Sequence, residues 1–150
     1  MTILEYVLDI IETYHTDNIR ELIDYCGIDI QYNDELNKTT DANLLIINKQ
    51  AYITLKTDLD PLYENFLLAH ELGHYILHYD DNISFSFLRR TKKNALEREA
   101  NEFACRLLLS DITIQETDNI EFIIKEKGIP LKIWRMVCDY IFPIEPTIKI

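Results

Sequence analysis

Residues 60–79 read Asp-Pro-Leu-Tyr-Glu-Asn-Phe-Leu-Leu-Ala-His-Glu-Leu-Gly-His-Tyr-Ile-Leu-His-Tyr, and this stretch decides the architecture of the chain. Asp60 supplies a helix N-cap, and Pro61 takes the first helical position, where its missing N–H breaks no bond. Apolar side chains recur at helical spacing through the rest of the stretch. The pattern therefore predicts a long helix over 61–79 that buries one face.

Two histidines in this predicted helix, His70 and His74, are four positions apart, with Glu71 directly after the first. Residues four apart lie one turn apart on one helix face, so both imidazoles can reach a single ion at about 2.0 to 2.1 Å. Zinc can lower the pKa of a bound water from 15.7 to about 7, and Glu71 is placed to take the proton of that water. The spacing predicts a catalytic metal site. The alternative is that both rings are hydrogen-bonded helix residues and Glu71 is a surface charge.

A catalytic zinc needs a third protein ligand and an open fourth position. A second predicted helix, over 95–109, offers several glutamates. At about 100° per residue, Glu97 lies inside the apolar arc of this helix, together with Ala100 and Ala104. These small side chains would let the helix pack closely on the first one, beside Gly73. Glu97 is therefore the favoured third ligand.

Two other glutamates of the second helix are weaker candidates. Glu99 borders the apolar arc, so it is predicted to support a ligand from behind, to be an alternative ligand, or simply to be exposed. Glu102 is four positions from both Arg98 and Arg106, a charge ladder expected on a solvent-facing side. Glu102 is therefore a poor ligand candidate.

Two alternatives stay open around this site. Asn94 and Glu97 together spell a capping box, in which the glutamate would only close the start of the helix. His78 is one more helical step beyond His74, but a straight helix places it about 12 Å along the axis from His70. It is therefore predicted to support a ligand from behind or to be exposed.

The rest of the chain predicts an α+β fold: a small antiparallel or mixed sheet packed against a zincin-like helix, with flanking helices at both ends. Two short helices open the chain, the second after Asn18. Two strands, 44–48 and 51–55, are joined by Lys49-Gln50 as a hairpin or a bulged strand. Residues 80–93 predict a loop. We expect a single domain with four parts: N-terminal helices 1–27, sheet 28–56, active-site helices 60–109 and C-terminal helices 117–142.

Composition excludes several classes of protein. The 150 residues carry a net charge of −11, which argues against direct nucleic-acid binding. The longest apolar runs fall far below the roughly 18 residues of a membrane span, and the first residues show no export signal. The three cysteines, Cys26, Cys105 and Cys138, form no paired motif, which favours buried thiols in a reducing compartment. We therefore expect a cytoplasmic protein without a membrane partner.

Three stretches taken together resemble the ImmA/IrrE metallopeptidases. They are Phe-Leu-Leu-Ala-His-Glu-Leu-Gly-His-Tyr-Ile-Leu-His at 66–78, Glu-Arg-Glu-Ala-Asn-Glu-Phe-Ala at 97–104 and Leu-Leu-Leu at 107–109. The resemblance extends more loosely over most of the chain. Members of this kind are encoded by phages and mobile elements and cleave helix-turn-helix repressors.

The resemblance implies a role for each residue of the motif. It places one Zn²⁺ per chain on His70, His74 and Glu97, a glutamate-completed set of the gluzincin kind, and the catalytic base on Glu71. It also implies a protein substrate, a helix-turn-helix repressor whose cleavage relieves repression. An acidic chain could attract such a basic partner.

Two other functions compete with a peptidase. In one, zinc only stabilises a regulatory binding module that sequesters its partner without cleavage; in the other, the chain is a folded, metal-free relic. A base beside the metal favours the enzyme, because a purely structural site gains nothing from it. For a peptidase, the strand Ala51–Leu55 is predicted to be an exposed edge that pairs with extended substrate.

Overall fold

The computed structural model of the chain describes residues 1–35, 40–83 and 90–142. Within these ranges, the chain forms six helices and a sheet of three strands, which confirms the predicted α+β class. The elements, in chain order, are α1 (Ile3–Tyr14), α2 (Ile19–Tyr25), β1 (Asp29–Tyr32), β2 (Ala42–Ile47), β3 (Gln50–Leu55), α3 (Pro61–Ile83), α4 (Arg90–Leu108), α5 (Ile120–Glu126) and α6 (Leu131–Ile141). Over the part of the chain so described, no helix has the length and apolarity to cross a membrane.

The two opening helices form where the sequence predicts them. Asn18 caps α2, since its Oδ1 accepts a hydrogen bond from the backbone N–H of Glu21 at 3.0 Å. Gly27 ends the helix with φ of +73°, a conformation that favours glycine. This turn directs the chain into β1.

The sheet is mixed. Its strand order is β1-β3-β2, with β1 parallel and β2 antiparallel to β3. The hairpin between β2 and β3 is confirmed, but its turn is Asn48-Lys49, one residue earlier than predicted. Both turn residues have positive φ, 50° and 68°, the pattern of a two-residue turn that matches the twist of the flanking strands.

The prediction that Ala51–Leu55 is an exposed edge is wrong, because β3 is the central strand. Its backbone pairs on both sides, Ile53 with Ile30 on β1 and with Leu44 on β2. The side chain of Ile53 is fully buried. In a hairpin of β2 and β3 alone, one side of β3 would be unpaired. Strand β1, from earlier in the chain, pairs with that side in parallel. The edges of the sheet are β1 and β2.

Helix α3 carries the motif and begins as predicted. The Asp60 carboxylate accepts from the N–H groups of Leu62 and Tyr63 at 3.1 and 3.2 Å. The helix reaches Ile83, with one non-helical residue inside it, His78 (φ −131°, ψ 31°).

The predicted loop over 80–93 is wrong at both ends. Residues 80–83 belong to α3 and residues 90–93 to α4, while 84–89 lie outside the described residues. At the second end, Arg90, Lys92 and Lys93 have high helix propensity, so this part of the stretch can begin a helix without apolar periodicity.

Helices α3 and α4 pack tightly. A Cβ on Gly73 would lie 3.0 Å from Cδ1 of the buried Phe103 ring, so glycine permits this approach. Ala100 and Ala104 on α4 are fully buried. The expected close packing of the two helices beside Gly73 is confirmed.

Glu102 is buried rather than solvent-facing, which corrects the prediction. Its two carboxylate oxygens pair with Arg98 Nη1 at 3.2 Å and Arg106 Nε at 2.9 Å, so the predicted charge ladder itself is confirmed. The last turn of α6 covers the ladder: Arg106 donates to the Tyr140 carbonyl oxygen at 2.9 Å, and Arg98 lies 4.2 Å above the Tyr140 ring. Contact with α6 therefore buries a face of α4 that the charge pattern alone predicts to be exposed.

Gly128, which joins α5 to α6, predicts a stability test. A Cβ there would lie 2.3 Å from the Leu62 carbonyl oxygen, whereas one on Gly27 meets nothing within 4 Å. Both glycines have positive φ, +77° and +73°, so alanine costs each about 1–2 kcal/mol of backbone energy. We expect Gly128→Ala to lower the free energy of unfolding by a further 1–3 kcal/mol or so, because it also forces a steric shift. Urea denaturation measures both variants, and equal losses would contradict the close packing at Gly128.

Candidate metal centre

Two imidazoles from α3 and one carboxylate from α4 converge on a single point. His70 Nε2 lies 3.0 Å from Glu97 Oε2, and His74 Nε2 lies 2.9 Å from Glu97 Oε1. Within the described ranges, these residues form the one group of three whose candidate ligand atoms all lie within 4.8 Å of one another. The structure therefore brings together the three residues that the sequence favoured as ligands.

The donor set fits a zinc ion. Two ligand atoms at about 2.0 to 2.1 Å from a tetrahedral zinc are roughly 3.3 Å apart, close to the spacing between the two imidazoles and Glu97. The imidazole side chains are nearly buried, at 10% and 5% exposure for His70 and His74, whereas Glu97 is 45% exposed. The cluster thus has a buried floor and an open side.

The structure distinguishes between the alternative roles predicted for Glu97 and Glu99. Helix α4 begins at Arg90, so Asn94 lies inside it and the capping-box interpretation of Glu97 is wrong. Glu99 lies away from the cluster, with Oε2 at 3.2 Å from Nε2 of His78. Of Glu97 and Glu99, Glu97 is therefore the one whose carboxylate lies beside the two histidines.

Asn101 holds His70 from behind, and sequence reasoning missed it. Its Oδ1 lies 2.7 Å from His70 Nδ1, and the residue is buried. An amide oxygen only accepts, so the ring donates from Nδ1 and leaves the Nε2 lone pair toward the cluster. The available signal was a polar residue within the apolar arc of α4, one turn after Glu97.

His78 is buried, not exposed. Its Nδ1 lies 3.2 Å from Nδ1 of His74, and its Nε2 faces Glu99. The non-helical backbone of His78 thus occurs where its ring bridges the two helices. The structure places His78 and Glu99 behind His74, on the side opposite to Glu97.

The pKa values of the groups in and beside the cluster depend on burial and on the charges of their neighbours. Burial raises the pKa of the Glu71 carboxyl, with the neighbouring histidines opposing it. Burial alone would also raise the pKa of Glu97, but hydrogen bonds and charges from His70 and His74 outweigh it and lower that pKa. Burial alone would lower the pKa of His70, but the hydrogen bond to Glu97 and its charge, the charge of Glu71 and the hydrogen bond to Asn101 outweigh it and raise that pKa. The pKa values of Glu71 and Glu97 are thus shifted in opposite directions.

An open groove leads away from the cluster. Its lining includes His70, Glu97 and Asn101, together with residues from the first half of α3 and from the α5–α6 segment. Most of its lining is apolar, including Phe66 and the exposed Phe122. The groove can therefore hold a chain of apolar side chains next to the metal-facing atoms.

Comparison with known proteins identifies relatives that share this region. The model of a peptidase family described as the IrrE N-terminal-like domain matches residues 23–127, which contain all the residues of the cluster. The chain is 33% identical over 120 residues to "Metallopeptidase ImmA" of Bacillus subtilis (strain 168), which covers 73% of this chain and 64% of that protein. The chain thus spans less than two thirds of the length of that relative. It is also 31% identical over 130 residues to "Uncharacterized immunity region protein 2" of Bacillus phage phi105, covering 83% and 81% of the two chains.

Proposed function

Because the chain belongs to the ImmA/IrrE family of metallopeptidases, we propose that it is a zinc-dependent endopeptidase that cleaves a helix-turn-helix repressor of a phage or mobile element. The observation that carries this proposal is the convergence of His70, His74 and Glu97, two of which, His70 and Glu97, line an open groove. Two histidines, a carboxylate and an open position are the ligand pattern of catalytic zinc sites. The described part of the chain is expected to act as a single domain.

Each residue of the motif has a distinct proposed task. Zinc at this site would supply Lewis acidity, polarising the substrate carbonyl and lowering the pKa of water. His70, His74 and Glu97 hold the ion through Nε2 and carboxylate atoms, while Asn101 fixes the orientation of the His70 ring. None of these ligands is free to move a proton, so the proton transfers fall to another group.

Glu71 is that group in the proposed mechanism. Its carboxylate takes a proton from the attacking water and delivers it to the amine of the departing peptide fragment. Burial raises its pKa, which makes the carboxylate a stronger proton acceptor than a solvated glutamate. A metal site that only stabilised the fold would gain nothing from such a group.

The substrate assignment rests on the kind of relative found. One relative carries the words "immunity region protein" and comes from a Bacillus phage, which supports a substrate that belongs to a phage or mobile element. A repressor encoded near the gene of this chain is therefore the proposed substrate. The three cysteines have free thiols, which supports the proposal that this chain is cytoplasmic.

The groove predicts a specificity effect that is separate from metal binding. Phe122 on α5 lines the groove and is 58% exposed, so Phe122→Asp places a charge on the groove wall without opening the core. Met136 on α6 is 56% exposed and lies outside the groove lining, which makes Met136→Asp the matched control. We expect Phe122→Asp to raise KM for repressor cleavage roughly tenfold, equal to about 1.4 kcal/mol of lost apolar contact. Steady-state kinetics would show no such change for Met136→Asp, and equal KM values for both variants would contradict substrate binding in the groove.

The proposed function is tested by incubating the zinc-loaded chain with the purified repressor. Mass spectrometry is expected to find two complementary repressor fragments from one cleaved bond. Removing the metal with a chelator should stop cleavage, and one equivalent of zinc should restore it. An intact repressor that nevertheless forms a stable complex with the chain would favour the sequestering module instead.

A further inference from the structure

We propose that Glu99 and His78 are positioning residues that set the tautomer of His74, so that its Nε2 lone pair faces the metal. The inference rests on the proposed zinc site, and it assigns a task to two buried or half-buried residues that no step of the proposed mechanism uses. Its basis is a row of three groups, His74, His78 and Glu99, linked by contacts of 3.2 Å each.

The first step concerns His74 itself. A neutral imidazole can offer a lone pair from Nε2 only when its proton is on Nδ1. The Nε2 atom of His74 faces Glu97 and the cluster, so its Nδ1 must be the donor when an ion is bound. The tautomer therefore depends on what Nδ1 of His74 meets.

That neighbour is another ring nitrogen, which makes the contact ambiguous. Nδ1 of His74 lies 3.2 Å from Nδ1 of His78. In a hydrogen bond between two neutral imidazoles, one nitrogen donates and the other accepts. His74 can donate only if His78 carries its own proton on Nε2.

Glu99 removes the ambiguity. Its Oε2 lies 3.2 Å from Nε2 of His78, and a carboxylate accepts but cannot donate. The proton of His78 is thereby held on Nε2, its Nδ1 accepts, and His74 donates from Nδ1. Glu99 thus fixes the direction of two hydrogen bonds, the one from His78 to Glu99 and the one from His74 to His78.

The backbone provides a second observation. His78 departs from helical geometry inside α3, and its side chain is only 3% exposed. The departure brings its ring between His74 on α3 and Glu99 on α4. His70 has a simpler arrangement, since the Asn101 amide oxygen accepts directly from its Nδ1.

The test is a double-mutant cycle on zinc affinity, measured by competition with a chelator. Glu99→Gln keeps the size of the side chain, but its amide can donate as well as accept, so the tautomer of His78 is no longer fixed. We expect zinc affinity to fall roughly 10- to 100-fold, the usual effect of removing a residue that orients a ligand. Glu12→Gln, which removes an exposed charge from α1 outside the groove lining, is the control for the loss of one negative charge and should change little.

The second arm of the cycle uses His78→Asn, whose amide oxygen can accept from His74 without involving Glu99. In that background, Glu99→Gln should have no further effect on zinc affinity, because Glu99 acts through His78. Equal losses in both backgrounds would overturn the proposal in favour of direct attraction between Glu99 and the ion. No loss in the single variant would overturn it as well.

Nitrogen NMR of the zinc-loaded chain gives a readout that needs neither activity nor the His78 variant. We expect the His78 ring to carry its proton on Nε2 in the wild type and to populate the other tautomer in Glu99→Gln. The half-exposed position of Glu99, 33% at its side chain, makes loss of folding in this variant unexpected. A wild type that binds no zinc would defeat the proposed function, whereas unchanged affinity and tautomer in Glu99→Gln would defeat only this inference.

Discussion

Glu71→Gln is expected to slow repressor cleavage by roughly 10²- to 10⁴-fold, with the loss in kcat rather than KM, because a general base contributes about that much. Glu71 is buried in α3 between the two histidines of the cluster, and burial raises its pKa. The amide of glutamine has nearly the same shape but cannot take a proton from water. Zinc content should stay at one per chain, since Glu71 is not among the three candidate ligands.

The matched control for this variant is Glu12→Gln, which removes the same charge from an exposed position on α1. It should cleave at the wild-type rate. Single-turnover cleavage and metal content are measured on both variants. If Glu71→Gln relieved repression in cells as well as the wild type does, the peptidase assignment would fail and the sequestering module would replace it.

Glu102→Ala is expected to lower the free energy of unfolding by about 3–5 kcal/mol, the usual cost of removing one partner from a buried ion pair. Glu102 is 6% exposed and accepts from both Arg98 and Arg106. Without it, the guanidinium groups of Arg98 and Arg106 lose the carboxylate that they share next to α6. Urea denaturation with zinc in equal excess measures the loss.

Glu121→Ala is the control for a surface pair. Its carboxylate lies 3.8 Å from Arg135, and both side chains are more than two thirds exposed. Such pairs contribute less than ~1 kcal/mol. A similar small loss for Glu102→Ala would mean that the ladder is hydrated and that α6 does not cover it.

Features that depend on neighbouring residues in the chain could be predicted from the sequence. The i, i+4 spacing places His70 and His74 on one helix face, and the Asp60-Pro61 pair marks where that helix begins. Helical angles also favoured Glu97 over the other glutamates. The sequence places the hairpin turn one residue too late, because Asn48 and Lys49 adopt positive φ without the glycine that usually marks such turns.

Features that depend on which elements meet could not be predicted in the same way. Parallel pairing of β1 with β3 joins residues more than twenty positions apart, so no local pattern showed that Ala51–Leu55 is central. Helical spacing correctly places Glu102 on the same face of α4 as Arg98 and Arg106. No local pattern in the sequence shows that α6 covers that face. The contact between Asn101 and His70 likewise needs the packing of α4 on α3.

The central claim is that His70, His74 and Glu97 hold one catalytic zinc ion, and metal analysis tests it most directly. Wild type, Glu97→Ala and Glu99→Ala are saturated with zinc, exchanged into metal-free buffer and measured by mass spectrometry. We predict one zinc per chain in the wild type, loss of the ion in Glu97→Ala, and an ion that is retained, though more weakly bound, in Glu99→Ala. A wild type that holds no zinc would contradict the claim, as would zinc lost from Glu99→Ala but kept by Glu97→Ala.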